Sequence, residues 1–408
     1  MKILHVIGTL SPQDGGPPEM ARQLARCYME SGDTVEIVSQ DPPDAPYLRD
    51  VPCTVHALGQ RWMGKFSFSP RLWHWLHQNV GRFDCVVRQG IWSFPEIAIR
   101  SACHKADVPY GVFAHGALDP WFNQNYPLKY LKKLLYWPIQ HGVLHDAQAV
   151  FFTCEREAEL AATSFASHNW NSFVFPYGIR PPQDNAQHSV EAFYQTQPAL
   201  RNRRFLLLLA RIHEKKGCDL LLRAFARIAA QAPNLDLVIA GPDKHGLQAG
   251  LKRMARDLNI AARVHWPGAI AHELKWGALR AAEAFILPSH QENFGIAIVE
   301  SLAVGRPVLI TDKVNIWREI MDGEAGLVEA DTQEGIERLL RRWLALSPAE
   351  RGAMSARAYP LYNSRFCLKN SAQAIHRALG AKMLRSHAFA SAALTEAGFI
   401  LYKRKPQH

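Results

Sequence analysis

The sequence predicts an α/β protein made of two doubly wound parallel sheets. Three observations carry this. The 408 residues exceed one ordinary core and fit two domains of typical size. Short apolar runs alternate with longer segments of helical period, the rhythm of βαβ units. That rhythm closes near residue 180 at Gly178-Ile179-Arg180-Pro181-Pro182, then starts again.

Lys2 to Ile7 reads as the first buried strand and Asp14 to Pro18 as a turn. Ala21, Leu24, Ala25 and Tyr28 then recur at helical spacing, with Pro17 and Pro18 suited to a first helical turn. Thr34 to Ser39, Cys85 to Val87, Tyr110 to Phe113 and Ala149 to Thr153 are the next strands. Gln183 to Arg203 is polar and poorly periodic and reads as a linker. Phe205–Ala210, Leu235–Ala240, Arg263–Trp266, Ala284–Leu287 and Pro307–Ile310 follow as strands separated by helices. Tyr359 to Leu379 reads as helix that returns to the first domain. The expected division is 1–182, 183–355, and 356–408 as a crossover helix with a basic tail. Ligands of such sheets bind beyond the carboxyl ends of the strands, so the chemistry is expected in a cleft between the two domains.

Composition narrows the function. A hydrophobic fraction of 48% and a charged fraction of 21% are ordinary for a globular chain. Seven scattered cysteines without a CxxC pair suit reduced thiols in a cytoplasmic protein. The first residues are too soon interrupted for a signal peptide, and no run reaches the roughly 18 apolar residues of a membrane span. Net charge +10 and a pI near 9.3 suit nucleic acid, an anionic bilayer or phosphorylated substrates. Zinc-finger spacing and RNP-like aromatics are missing, which disfavours nucleic acid. His74 and His77 have no carboxylate or cysteine at ligand spacing, so no metal site and no cofactor are expected.

Two strand-end segments carry chemistry. In Pro288-Ser289-His290-Gln291-Glu292-Asn293-Phe294-Gly295-Ile296-Ala297-Ile298-Val299-Glu300, a strand ends and a helix opens near Gly295. Free amides at a helix start hold phosphate. Glu300, one turn in, suits ribose hydroxyls, and Glu292, before the helix, suits sugar hydroxyls. A surface acid at Glu292 and a dipole-stabilising charge at Glu300 explain the pair about equally well. In Arg211-Ile212-His213-Glu214-Lys215-Lys216-Gly217, Arg211 and Lys216 flank one loop, where fixed cations can stabilise a departing diphosphate. Ordinary salt-bridged surface cations are the alternative.

The combination is more specific than its parts. Arg211-x4-Lys216-Gly217, Gly241-Pro242-Asp243, Glu292-x7-Glu300 and Gly305-Arg306-Pro307-Val308, with Gly15-Gly16 and His115-Gly116 before them, resembles the family 4 retaining glycosyltransferases. The likeness runs from Met1 to about Leu379 and is looser in the first half. It implies the GT-B fold, two Rossmann-like domains facing across a cleft. It implies a metal-independent, hexosyltransferase-type enzyme that moves a sugar from a UDP- or GDP-sugar to a saccharide or lipid-linked saccharide, in polysaccharide or glycolipid synthesis. Arg211 and Lys216 would bind the donor diphosphate, and Glu300 the ribose. Glu292, with the backbone of Asn293, Phe294 and Gly295, would hold the donor sugar, and Ile296 would lie in the same donor site. Gly15 and Gly16 would face the phosphates, and Pro267 to Ile270 the base. His115 would bond the donor sugar or stabilise charge as the glycosidic bond breaks. Lys244 and His245 depart from the small residues the family often has after the position of Asp243. A sugar-nucleotide epimerase on the same architecture, or a non-catalytic scaffold, are the competing readings.

One segment stands apart. No acid lies between Asp119 and Asp146, while Lys129, Lys132 and Lys133 interleave with Tyr130, Leu131, Leu134, Leu135 and Trp137. A helix over 127–145 of this kind suits an anionic membrane surface, or a core with its lysines in water. The tail adds Lys382, Arg385, Lys403, Arg404 and Lys405 against Glu396.

Overall fold

The computed structural model describes residues 1–14, 16–59, 61–270 and 272–380. Gly15 and the basic tail from Lys382 lie outside the described residues. The described chain forms two compact units, one of residues 1–175 with 368–380, the other of Pro176–Cys367.

The first unit holds a parallel sheet of β1 (Lys2–Ile7), β2 (Thr34–Ser39), β3 (Thr54–Ala57), β4 (Cys85–Gln89), β5 (Tyr110–Phe113), β6 (Ala149–Phe152) and β7 (Ser172–Val174). Their order is β3-β2-β1-β4-β5-β6-β7. The central strands are buried almost throughout, as expected of parallel strands covered on both faces. In the helix Gly16–Glu30, the residues expected at helical spacing, Ala21, Leu24, Ala25 and Tyr28, are all fully buried. The helix Lys369–Leu379 packs against it, as foreseen for the returning C-terminal helix. There the Cys27 thiol donates to the Leu368 carbonyl at 3.4 Å, and His376 Nε2 bonds Asp33 Oδ2 at 2.7 Å.

The second unit holds β8 (Arg204–Leu209), β9 (Leu235–Ala240), β10 (Val264–Gly268), β11 (Ala284–Leu287), β12 (Val308–Thr311) and β13 (Gly326–Glu329). Their order, β10-β9-β8-β11-β12-β13, reverses between β8 and β11. Ligands of doubly wound sheets sit beyond the strand ends at such a reversal.

Two expectations fail. Residues 183–203 are not a linker, because Ala186–Thr196 is a helix packed on the helix His272–Ala281. Asn185 caps it, its side chain accepting from the amides of Gln187 and His188. Phe193 is fully buried, worth roughly 2–3 kcal/mol. The pattern hides in sequence because its other buried residue is a serine, Ser189, packed against Gly277. Nor is Tyr359–Leu379 one helix. Pro348–Leu361 runs into a wide turn at Tyr362–Phe366, Cys367 is extended, and Lys369 starts anew. The Ile179 amide donates to the Phe366 carbonyl at 3.0 Å and the Tyr362 hydroxyl to the Ile179 carbonyl at 2.9 Å, clasping the unit where the chain enters and leaves. No described helix is long and apolar enough to cross a membrane.

Candidate active site

The loops after β8 and β11, at the reversal of strand order, meet each other. Gly217 makes this possible. Its φ is +63°, and a Cβ there would lie 2.1 Å from the Pro288 carbonyl oxygen. The His290 amide donates to the Lys215 carbonyl at 2.8 Å, and Lys215 Nζ to Gln291 Oε1 at 3.3 Å. Gly217→Ala meets both backbone strain and overlap with main chain. It is expected to cost about 3 kcal/mol of stability in a urea titration, whereas Gly352→Ala, in open space, should cost nothing.

Across this junction Lys216 Nζ donates to Glu292 Oε2, and both side chains are largely buried. Burial alone would raise the Glu292 carboxyl. The charges of Lys216 and Lys215, with Arg211 behind them, outweigh it and hold the carboxyl below its usual range. Three cations thus bear on one carboxylate, leaving an excess of positive charge that suits a diphosphate. Arg211 itself is exposed. The backbone of Glu292 is sewn to the next loop: its amide donates to the Lys313 carbonyl and its carbonyl accepts from the Asn315 amide, both at 3.0 Å.

Gly295, at φ +76°, precedes the helix Ile296–Ala303. A Cβ at Gly295 would lie 2.6 Å from Ile298 Cδ1, so the close turn requires glycine. Asn293 Oδ1 accepts from Asn315 Nδ2 at 3.3 Å. Phe294 is buried against Tyr177 and Phe366, so its ring anchors the loop in the core. Ile296 and Ile270 are half-buried at their loop ends. Glu300 Oε1 accepts from Lys275 Nζ at 2.5 Å, so a ribose there would share the carboxylate with a lysine. Asp243 has a structural task, its two oxygens accepting from the amides of Leu247 and Gln248 at 2.9 Å, at the start of a helix.

In the first unit His115 follows β5. It sits at φ +47°, and Gly116 follows at +71°. Such consecutive left-handed residues concentrate at functional turns. The imidazole stacks on Phe113 at 5.3 Å, and its Nε2 bonds Gln89 Oε1 at 2.8 Å. Burial, with the nearby Arg88 charge, lowers its pKa to about 4, so it is neutral at pH 7. The Gly116 amide donates to Glu157 Oε1 at 2.6 Å, and Glu157 Oε2 accepts from the Thr153 amide and hydroxyl. Gly16 opens the helix after β1.

Sequence reading missed Lys215, Gln291, Gln89 and Glu157. The first two flank foreseen residues. Glu157, in the first turn of the helix Glu155–Ala162, looks like an ordinary dipole-stabilising acid until Gly116, 41 residues away, comes beside it. Among the described residues no cluster of three or more His, Cys, Asp or Glu could hold a metal.

Comparison with known proteins gives this site a context. Residues 191–360 match the model of "Glycosyl transferases group 1" and residues 15–178 that of "Glycosyl transferase 4-like domain". A D-inositol 3-phosphate glycosyltransferase of Frankia alni is 35% identical over 151 residues, 34% of this chain and 37% of that protein. One from Mycobacterium tuberculosis strain H37Ra is 31% identical over 189 residues, 43% of this chain and 38% of that protein. The matched segments thus span less than two fifths of these relatives. The structure of Anabaena HepE with UDP and glucose aligns over 93% of this chain and 100% of its own, at TM-score 0.72 and 16% identity. WaaG, a glycosyltransferase of lipopolysaccharide biosynthesis, aligns over 93% and 100%, at TM-score 0.69 and 18% identity. These structural likenesses speak to the fold. With both units matched by family models, the chain belongs to the group 1 glycosyltransferases of family 4 type and has the GT-B fold.

Proposed function

We propose that the chain transfers a sugar, with retention of anomeric configuration, from a UDP- or GDP-sugar to a saccharide or lipid-linked saccharide in polysaccharide or glycolipid synthesis. The observation that carries this is the Lys216–Glu292 pair at the strand-order reversal, with Arg211 and Lys215 bearing on the same carboxylate. The relatives' names support glycosyl transfer, and the UDP held by HepE supports a nucleotide-sugar donor and makes UDP the first to try.

On this reading the cations do the work a metal would otherwise do, stabilising charge on the leaving diphosphate. The leaving phosphate oxygen takes the acceptor hydroxyl's proton on the face the diphosphate vacates. Retention then follows without a protein nucleophile. Glu292 accepts from the sugar hydroxyls, Glu300 from the ribose, and His115 meets the donor sugar. Product NMR tests the reading. Donor plus acceptor should give the same anomer as the donor, unaffected by chelator. An inverted anomer would refute it, and a new nucleotide sugar from donor alone would replace it with epimerisation.

The helix Pro127–Asp146 is read as the contact with an anionic membrane surface, which makes the chain a peripheral protein of the cytoplasmic face. One face buries Gln140, Val143 and Leu144. The other exposes Leu128 at 79%, Leu131 at 59% and Leu135 at 80%, beside exposed Lys129 and Lys132. A core-facing role explains only the first face. Beside it, Phe66 packs on Tyr136, and Trp62 and Met63 nearby in the loop are 53% and 71% exposed. Replacing Leu131 and Leu135 by serine should weaken binding to vesicles containing anionic lipid at least about tenfold, from lost apolar burial. Equal binding by wild type and variant in a sedimentation assay would remove the helix from this role.

A further inference from the structure

We propose that Lys133 is a positioning residue: its ammonium, reaching inward from the helix Pro127–Asp146, holds the left-handed turn that carries His115. The proposal rests on the reading that His115 meets the donor sugar, and it adds what keeps that turn in place.

The turns after β4 and β5 each contain a left-handed residue that is not glycine. Trp92 has φ +72° and His115 has φ +47°. A bulky side chain at positive φ is strained and persists only where its surroundings hold it. The helix Pro127–Asp146 holds both. Gln140, buried on that helix, accepts from the Trp92 amide at 2.8 Å. A main-chain amide only donates, so this bond fixes the sense of the Gln140 carboxamide. About two turns earlier, Lys133 Nζ donates to the Ala117 carbonyl at 3.2 Å. Ala117 closes the His115 turn, its amide donating to the Ala114 carbonyl at 3.0 Å. Trp92 Nε1 donates to the same Ala117 carbonyl at 3.1 Å. The Lys133 ammonium also faces the Trp92 ring at 4.9 Å and the Phe122 ring at 5.9 Å. One cation thus clamps the two turns together.

The fold bears a cost for this clamp. Lys129 and Lys132 on the same helix are exposed, whereas Lys133 turns inward and is half-buried. Burial, against the attraction of Asp119 and together with the repulsion of Lys129, lowers its pKa to about 8. The folded protein therefore disfavours this charge, yet keeps most of it at pH 7. A methionine of similar reach would fill the same aromatic surroundings without that penalty, and the Ala117 carbonyl would keep its bond from Trp92. Packing does not call for an ammonium here. Holding the turn does, since a charged donor makes the stronger hydrogen bond.

Kinetics of Lys133→Met, His115→Ala and the double variant test this, with turnover read as nucleotide release from a UDP- or GDP-sugar. Lys133→Met should fold with a thermal midpoint equal to that of the wild type or above it. Its kcat should fall about ten- to a hundredfold, the scale of misplacing a reacting group by about 1 Å, with the donor KM little changed. Combined with His115→Ala it should cost no further activity, because the lysine acts through the turn that the histidine occupies. Lys133→Leu, shorter and apolar, should behave alike and keeps the test independent of one variant's folding. Unchanged kcat in folded Lys133→Met, or losses that add in the double variant, overturns the proposal. Full turnover by His115→Ala overturns instead the reading on which it rests.

Discussion

Lys216→Ala is expected to lower kcat by about a thousandfold or more at saturating donor, the scale seen when a fixed transition-state charge partner is removed. The ammonium lies where the strand order reverses and where charge grows on the leaving diphosphate. Water cannot replace it, because the side chain is largely buried and the loop that carries it is locked against Pro288. The substitution also strands Glu292. Breaking a buried ion pair costs about 3–5 kcal/mol, so lost activity and lost stability must be separated. The double variant Lys216→Met with Glu292→Gln removes both charges and should recover most of the stability while remaining inactive. Kinetics beside thermal unfolding of both variants measures this. Near-normal turnover in either would remove the cation from the chemistry.

Glu292→Gln is the second large effect. The shape survives, and the anionic acceptor does not. A charged hydrogen bond is worth about 1.5–3 kcal/mol, so kcat/KM for the donor should fall about ten- to a hundredfold. Stability gives a second, independent signature. The folded pKa of Glu292 is depressed below its ordinary 4.5, since Lys216 and Lys215 outweigh burial. The unfolded chain therefore takes up the proton first as pH falls. The ion pair's contribution is fully present above about pH 4.5–5 and is lost as pH drops through the folded pKa. Urea unfolding of wild type and Glu292→Gln from pH 7 to pH 3 should show a constant difference that closes in acid. A difference that widens below pH 4.5 would mean the carboxylate is not held by its cations.

What could be read from the sequence followed the strength of local patterns. Lys2–Ile7, Thr34–Ser39, Tyr110–Phe113, Leu235–Ala240 and Ala284–Leu287 are apolar runs in mostly buried strands, and they form as expected. The edge strands β3 and β7 went unread. They are three or four residues long and half exposed, so no apolar run marks them. The helix Ala186–Thr196 was hidden by a buried serine and by a neighbour whose glycine admits it. At the site, Lys216 and Glu292 were legible because each follows a strand in a glycine-bearing loop. Their direct pairing was not, since they stand 76 residues apart and only the β8–β11 neighbourhood joins them. Gln89 and Glu157 were silent for the same reason. Each is an unremarkable residue until a distant backbone turn places His115 and Gly116 beside it. Phe294 was marked for its backbone, and its ring packs on Tyr177 and Phe366, which anchors that stretch of main chain.

The most direct test is a calorimetric titration of UDP and GDP into the wild type and into the doubly neutral variant Lys216→Met with Glu292→Gln. One nucleotide should bind the wild type with Kd of about 1–100 µM, and the variant should bind it at least about a hundredfold more weakly, as expected when a charge-assisted phosphate contact is lost. Equal binding by the two proteins, or binding of neither nucleotide by the wild type, would contradict a diphosphate site built on Lys216 and Glu292.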